Sequence, residues 1–149
     1  MSTVDPLANA ADTQLWAERT GHRQFIGRNS RGGEVKIADI SQDGAFTPGE
    51  LLKVALAACA GFSAEPPLSR RLGEDFEFTV RVGGLSDAAE NRYAVLNEVL
   101  ELDLSALSPE EVARLVKVTE RAVATQCTVG RTLEAGAEVN LEIPVPTAE

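Results

Sequence analysis

Two cysteines, one histidine and a scatter of arginines are the side chains of this 149-residue sequence whose types could carry chemistry. Cys59 and Cys127 stand 127 − 59 = 68 positions apart. Two thiols alone do not make a zinc site, and in a reducing compartment they do not predict a structural disulfide. His22 is the one imidazole, so a Ser–His–Asp or Cys–His relay has a single residue to use. Chemistry must then run mainly on thiols, guanidinium groups and carboxylates. A thiol attacks as the thiolate, and a fixed cation or a helix start favours that form. Cys59 lies in Leu56-Ala57-Ala58-Cys59-Ala60-Gly61, where small neighbours leave space for a substrate or a second sulfur. The same setting suits a small hydrophobe filling a core. Cys127, in Gln126-Cys127-Thr128-Val129-Gly130-Arg131, falls after one expected helix and just before another, where backbone N–H groups would lower its pKa. Residue types leave both readings of each thiol open.

The elements that must position these thiols are legible from spacing. Gln14 to Arg19, Arg23 to Arg28 and Glu34 to Ile40 read as short strands, broken at Thr20-Gly21-His22 and at a hairpin turn, Ser30-Arg31-Gly32-Gly33. Thr47-Pro48-Gly49-Glu50 is a helix start with a capping box. The segment that follows, Leu51 to Phe62, is apolar nearly all round with Lys53 as its sole charge, and Pro66-Pro67 is expected to stop it. A helix apolar on every face needs cover on every face, which predicts a second subunit. Phe76, Phe78, Val80 and Val82 alternate as a strand. Arg92 to Leu104 reads as one long strand with Leu96, Leu100, Leu102 and Leu104 on a face that Glu98 interrupts. Ser108-Pro109-Glu110-Glu111 opens a second amphipathic helix, Thr128 to Leu133 a short turn of helix, and Val139, Leu141 and Ile143 alternate as a last strand. The order βββ–α–ββ–α–β predicts an α+β fold with a largely antiparallel sheet.

Composition narrows the partners. Hydrophobic residues at 44% and charged residues at 25% fit one globular domain, expected over residues 14–149 behind a disordered lead over 1–13. The net charge of −9, with scattered arginines, argues against nucleic acid. No apolar run approaches the roughly 20 residues of a membrane span, and Met1 to Asp12 lacks the marks of a secretory signal. The expected compartment is the cytoplasm, with no membrane partner.

Phe46-Thr47-Pro48-Gly49-Glu50-Leu51-Leu52, an Ala-rich helix ending in Cys59, and Cys127-Thr128-Val129-Gly130-Arg131-Thr132-Leu133 together resemble the OsmC/Ohr family of thiol-dependent hydroperoxide reductases, over roughly residues 15–143. The resemblance implies an OsmC-like fold, an intertwined homodimer with the buried Cys helix at its centre, and active sites at the subunit interface. It implies a peroxidase of the oxidative stress response that reduces organic hydroperoxides without metal or bound organic cofactor. Cys59 is then the peroxidatic thiol and Cys127 the resolving one, joined in a redox-active disulfide. A dihydrolipoyl protein or a small dithiol is the implied reductant. Thr20-Gly21-His22-Arg23 matches the family's Thr-Gly turn, which selects Arg23 as the cation beside the thiolate, with Arg19 and Arg28 as rivals.

Glu50 is the candidate carboxylate for holding that cation, although the family commonly has Glu directly after the Pro. Pro48 keeps the spacing of 59 − 48 = 11 to Cys59, but Gly49 follows it, and a shift of one residue turns a helical side chain by about 100°. A purely capping Glu50 is the other reading. Thr128 also departs, standing where Pro is common. A rival function of another class is a non-catalytic dimeric binding protein on the same fold, holding a lipid or small metabolite in the interface pocket.

Overall fold

The hairpins of the N-terminal third follow from their turn residues. In the computed structural model, which describes residues 4–147, a 3-10 turn at Ala10–Asp12 precedes the first strand. The first three residues of the expected lead lie outside the described residues. Strands β1 (Leu15–Gly21), β2 (Gln24–Asn29) and β3 (Glu34–Ala38) form an antiparallel sheet in the order β1-β2-β3. His22 and Arg23 make the first turn, with Gly21 opposite Gln24. The second is tied by Asn29, whose Oδ1 accepts from the N–H groups of Arg31 and Gly33 at 2.9 Å each, while Gly32 takes φ 92°. That is an Asx-type turn with glycine where φ is positive. Gly27 in β2 is needed for another reason: a Cβ there would lie 2.9 Å from Val35 Cγ1 across the strand.

The chain groups into two compact units, one ending at Val54 and the other beginning at Ala55. Helix α1 (Pro48–Leu72) starts in the first. Its capping box forms as the spacing predicts. Thr47 Oγ1 accepts from the Glu50 N–H at 3.1 Å, and the Glu50 carboxylate accepts from the Thr47 N–H at 3.0 Å.

The second unit holds the rest of α1, strands β4 (Thr79–Gly83), β5 (Ser86–Asp87), β6 (Arg92–Tyr93) and β7 (Asn97–Glu101), and helices α2 (Pro109–Gln126) and α3 (Thr128–Ala135). β4 pairs antiparallel with β7, and β5 with β6. The core follows one stripe of α1 at four-residue spacing. Leu56 and Ala60 are buried with Cys127, and Ala64 and Leu68 with Leu115. Leu96 covers the first cluster, Leu100, Leu102 and Leu104 cover the second, and Val123 of α2 touches both. The expected apolar face of residues 92–104 is therefore real, although the ladder is interrupted between β6 and β7.

Four expectations about these elements are corrected. Pro66-Pro67 does not stop α1, which continues for five residues, 72 − 67 = 5. Proline inside a helix costs on the order of 3 kcal/mol. Pro67 and Leu68 are buried, however, and burying a leucine alone contributes about 1.5–3 kcal/mol, so packing carries the helix onward. The extension also makes α1 long and apolar enough, by length and composition, to cross a membrane, contrary to the reading of the bare sequence. Within the second unit, one stripe of the helix is buried, comprising Leu56, Ala60, Ala64 and Leu68. Phe76 and Phe78 lie ahead of the β4 ladder, stacking at 5.5 Å between centroids and packing on the second cluster. Finally, residues 139–143 form no strand among the described residues. Val139, Leu141 and Ile143 alternate as a strand would, but no neighbouring strand of this chain hydrogen-bonds to them, and all three are exposed. The outer face of α1 is likewise only partly covered, with Phe62 77% exposed.

Candidate active site

Cys127 closes one helix and opens the next. Its N–H donates to the Val123 carbonyl at 3.0 Å as the last bond of α2, and its carbonyl accepts from Arg131 at 2.9 Å as the first of α3. Its Sγ accepts from the Gly130 N–H at 3.4 Å, so the thiol itself is the N-cap of α3. Gly130 leaves the sulfur room, because a Cβ there would sit 3.2 Å from Sγ. The residue is 3% exposed. Cys59, half-buried on α1, packs against the cluster of Leu56, Ala60 and Cys127, near enough to the Cys127 thiol to affect its pKa. Both are free thiols. Sixty-eight positions of sequence are thus bridged by one packed cluster, and Ala57, Ala58 and Ala60 are the small neighbours that leave space beside Cys59.

The helix start does not govern the Cys127 pKa, as its place in the sequence suggested it would. Burial pushes the thiol above its ordinary value of 9.0, and the Gly130 N–H only offsets part of that. The neighbouring Cys59 and the negative charge of Glu98 push it in the same upward direction. Cys127 therefore rests as a protonated thiol.

Glu98 is the residue of this neighbourhood that the chemistry-first reading of the sequence missed. It lies on β7 opposite Val82 of β4, and Val82 packs on the Cys127 cluster. By strand alternation it shares its face with Leu96 and Leu100. Glu98 is itself exposed, and desolvation by its neighbours raises its pKa. The available signal was its interruption of an apolar strand face. Glu98 and Ala60 also line a groove of about 690 Å³, whose walls are chiefly Leu100, Leu102, Leu104 and Leu115.

The other expected site residues belong to the first unit. Arg23 occupies the β1–β2 turn with φ 52°, a left-handed conformation uncommon for a residue with a side chain. Its guanidinium is two-thirds exposed and its Nε lies 3.4 Å from Asp39 Oδ2. Asp39 is held below its ordinary pKa, first by hydrogen bonds from the Ser41 hydroxyl and backbone and then by Arg23. Arg28 is the more enclosed rival. It sits between Glu18, at 3.4 Å, and Glu34, and its Nε is buried without a hydrogen bond. Arg19 lies on β1 and is exposed. Glu50 is engaged in its capping box, and His22 is an exposed turn residue.

The mixed helices and antiparallel sheets, with Cys59 on α1 and Cys127 at the α2–α3 junction, form an OsmC-like α+β fold. Residues 41–142 match the family model described as OsmC-like protein, and the chain belongs to the OsmC/Ohr family. It is 53% identical over 131 residues to uncharacterized proteins of Mycobacterium tuberculosis and Mycobacterium bovis, covering 88% of this chain and 96% of each relative. Among solved structures, an OsmC-like protein from Mycoplasma pneumoniae aligns with a TM-score of 0.62 at 14% identity, covering 85% of this chain and 89% of that one. The organic hydroperoxide resistance protein OhrB of Bacillus subtilis aligns with a TM-score of 0.54 at 19% identity, covering 80% and 89%. The family includes hydroperoxide reductases, and these likenesses establish the OsmC-like fold.

Proposed function

We propose that this protein is a dithiol-dependent peroxidase that reduces organic hydroperoxides to alcohols, and that the packing of Cys59 on the cluster that holds Cys127 carries the reading. The Cys59 thiolate attacks the terminal oxygen of the hydroperoxide. The O–O bond breaks, the sulfur becomes a sulfenic acid, and the alkoxide leaves as the alcohol after taking up a proton. Cys127 then attacks the Cys59 sulfur, the S–O bond breaks, and water leaves as the disulfide forms. An external dithiol, a dihydrolipoyl protein or a small dithiol, returns both thiols by exchange and is itself oxidised. The order of roles is supported by accessibility and charge. Cys59 is the more exposed thiol, whereas Cys127 is buried and protonated at rest, as suits a group that must wait for the sulfenate.

The apolar groove beside Ala60 supports an alkyl or lipid hydroperoxide over hydrogen peroxide. Arg23 remains our assignment for the cation that favours the Cys59 thiolate, with Arg28 and Arg19 as rivals, and Glu50 is assigned first to capping α1. A homodimer is part of the proposal, supported by the exposed Phe62 and Val99 and by the unpaired apolar segment around Leu141.

The test is intact mass after one equivalent of cumene hydroperoxide. Wild type should lose two hydrogens, Cys127→Ser should hold a trappable sulfenate, and Cys59→Ser should not react. Two unmodified thiols in wild type would overturn the proposal in favour of a binding protein that uses the same groove.

A further inference from the structure

Pro67, Arg70 and Arg71 share one face of the last turns of α1, and Glu111, Arg114, Leu115 and Val118 share one face of the early turns of α2. Between these two stripes, inside the second unit, runs a groove of about 300 Å³. Pro67 and Leu115 are buried whereas the three arginines are exposed, so the groove has an apolar floor under a cationic rim. Glu111 is the one carboxylate that lines it, and both of its oxygens are engaged. Oε1 pairs with Arg71 Nη2 at 2.9 Å, and Oε2 accepts from the Ser108 N–H at 3.0 Å. Arg70 and Arg114 form no ion pair among the described residues, even though Glu110 stands four positions before Arg114. The lining therefore carries a local charge of 3 − 1 = +2 in a chain whose net charge is −9. Compensation of the helix dipole accounts for Arg70 and Arg71 in the last turn of α1. It does not account for Arg114, in the N-terminal half of α2, where the dipole offers a cation nothing.

We infer that this groove binds a small organic phosphate monoester, its phosphoryl group held by Arg70, Arg71 and Arg114 and its apolar body laid over Pro67, Leu115 and Val118. Guanidinium groups present paired N–H donors that match phosphate oxygens. A phosphate monoester carries about −1.5 to −2 at neutral pH, which the local charge balances. Size and field select a small ligand over a polyanion. A volume of about 300 Å³ is at the lower end of small-molecule pockets. A compact dianion is neutralised within the screening length of roughly 8 Å, whereas a nucleic acid or an acidic protein would also meet the field of the whole acidic chain. The inference stands apart from the peroxidase reading. Arg70 is 70 − 59 = 11 residues from Cys59 along α1, and Arg114 is 127 − 114 = 13 from Cys127 along α2. Those are about 16 and 20 Å of helix, so a small ligand in the groove reaches neither thiol.

The probe is phenyl phosphate, titrated into the full chain by calorimetry in a chloride buffer. Wild type should bind it saturably, one per chain. Arg70→Gln and Arg114→Gln should each weaken binding about tenfold, the loss expected of one charge-assisted hydrogen bond, with the melting temperature unchanged. Arg92→Gln removes an exposed arginine that pairs with Glu90 elsewhere in the second unit, and it should bind as wild type does. Inorganic phosphate should bind several-fold more weakly because it leaves the apolar floor uncovered, and phenyl sulfate because it is a monoanion. Undiminished binding in the Arg70→Gln, Arg114→Gln double variant would overturn the inference. So would an equal loss in Arg92→Gln, which marks diffuse attraction to any cation. Inorganic phosphate or phenyl sulfate binding as tightly as phenyl phosphate would refute the assigned ligand class. Polyglutamate binding where phenyl phosphate does not would replace it with a surface for acidic proteins. Cumene hydroperoxide consumption is a separate readout, and its failure would count against the peroxidase while leaving these titrations readable.

Discussion

Oxidising the Cys59–Cys127 pair should raise the thermal stability of the chain by an amount that its topology sets. The bond would close a loop of 127 − 59 = 68 positions. In the chain-entropy treatment a loop of this size constrains the unfolded chain by roughly 4 kcal/mol at 25 °C. Native-state strain should subtract little, because Cys59 already packs on the cluster that holds Cys127. The Gly130 N–H···Sγ bond weakens on oxidation, at a cost below about 1 kcal/mol. A net gain of about 3–4 kcal/mol corresponds to a melting temperature higher by roughly 10 °C for a domain of this size. Expressed as a potential, the native disulfide should be harder to reduce than the same bond in the unfolded chain by roughly 80 mV. The measurement is a calorimetric melt of reduced and oxidised protein at equal concentration, with the bond verified by intact mass, beside Cys127→Ser treated identically. Verified disulfide that melts no higher than the reduced protein would refute the argument, since the native cluster would then be resisting the bond.

Three further outcomes check other parts of the account. Arg23→Ala should slow both Cys59 alkylation and peroxide consumption near neutral pH while leaving the fold intact; if Arg28→Ala does this instead, the cation is Arg28. Ser108→Ala removes the side-chain bond to the Glu111 N–H at 3.2 Å and should lower stability by about 1 kcal/mol, read from denaturant midpoints. Because folding raises the Cys127 pKa above 9.0, the reduced native state holds that proton more tightly than the unfolded chain does. The resulting stability is complete below pH 9.0 and is lost as pH climbs through the native value, whereas the oxidised protein has no such titration. Melts across that range separate the two.

Local signals in the sequence translated well where a single turn or cap decides the structure. Thr47 with Glu50, and Ser108 with Glu111, form the capping boxes their spacing predicts, and Asn29 to Gly33 makes the expected hairpin. The signals failed where packing overrides them. Pro66 and Pro67 look like a stop, yet the burial of Ala64 and Leu68 draws the helix through. Val139, Leu141 and Ile143 carry a strand pattern, but a strand also needs a neighbour, and none is supplied among the described residues. At the site, both cysteines were visible as candidates, whereas their shared cluster depends on how α1 and the α2–α3 junction pack, which spacing does not encode. The N-terminal position of Cys127 on α3 was correct and its consequence for acidity was not, because desolvation outweighs one N–H. Glu98 was noticed only as a break in an apolar face. Its meaning depends on a cross-strand partner, Val82, some sixteen positions earlier, 98 − 82 = 16.

The sulfur of Cys127 is also a structural atom, and that couples bookkeeping of electrons to backbone order. As a free thiol it caps the first turn of α3 through Gly130; a bond to Cys59 would draw it toward α1 and make it a poorer acceptor for that amide. The start of α3 should then be looser in an oxidised protein, and by reciprocity whatever tightens α3 would favour the reduced pair. If the disulfide forms, the Gly130 amide would report oxidation state from within the main chain, and its solvent exchange can be followed without touching either thiol.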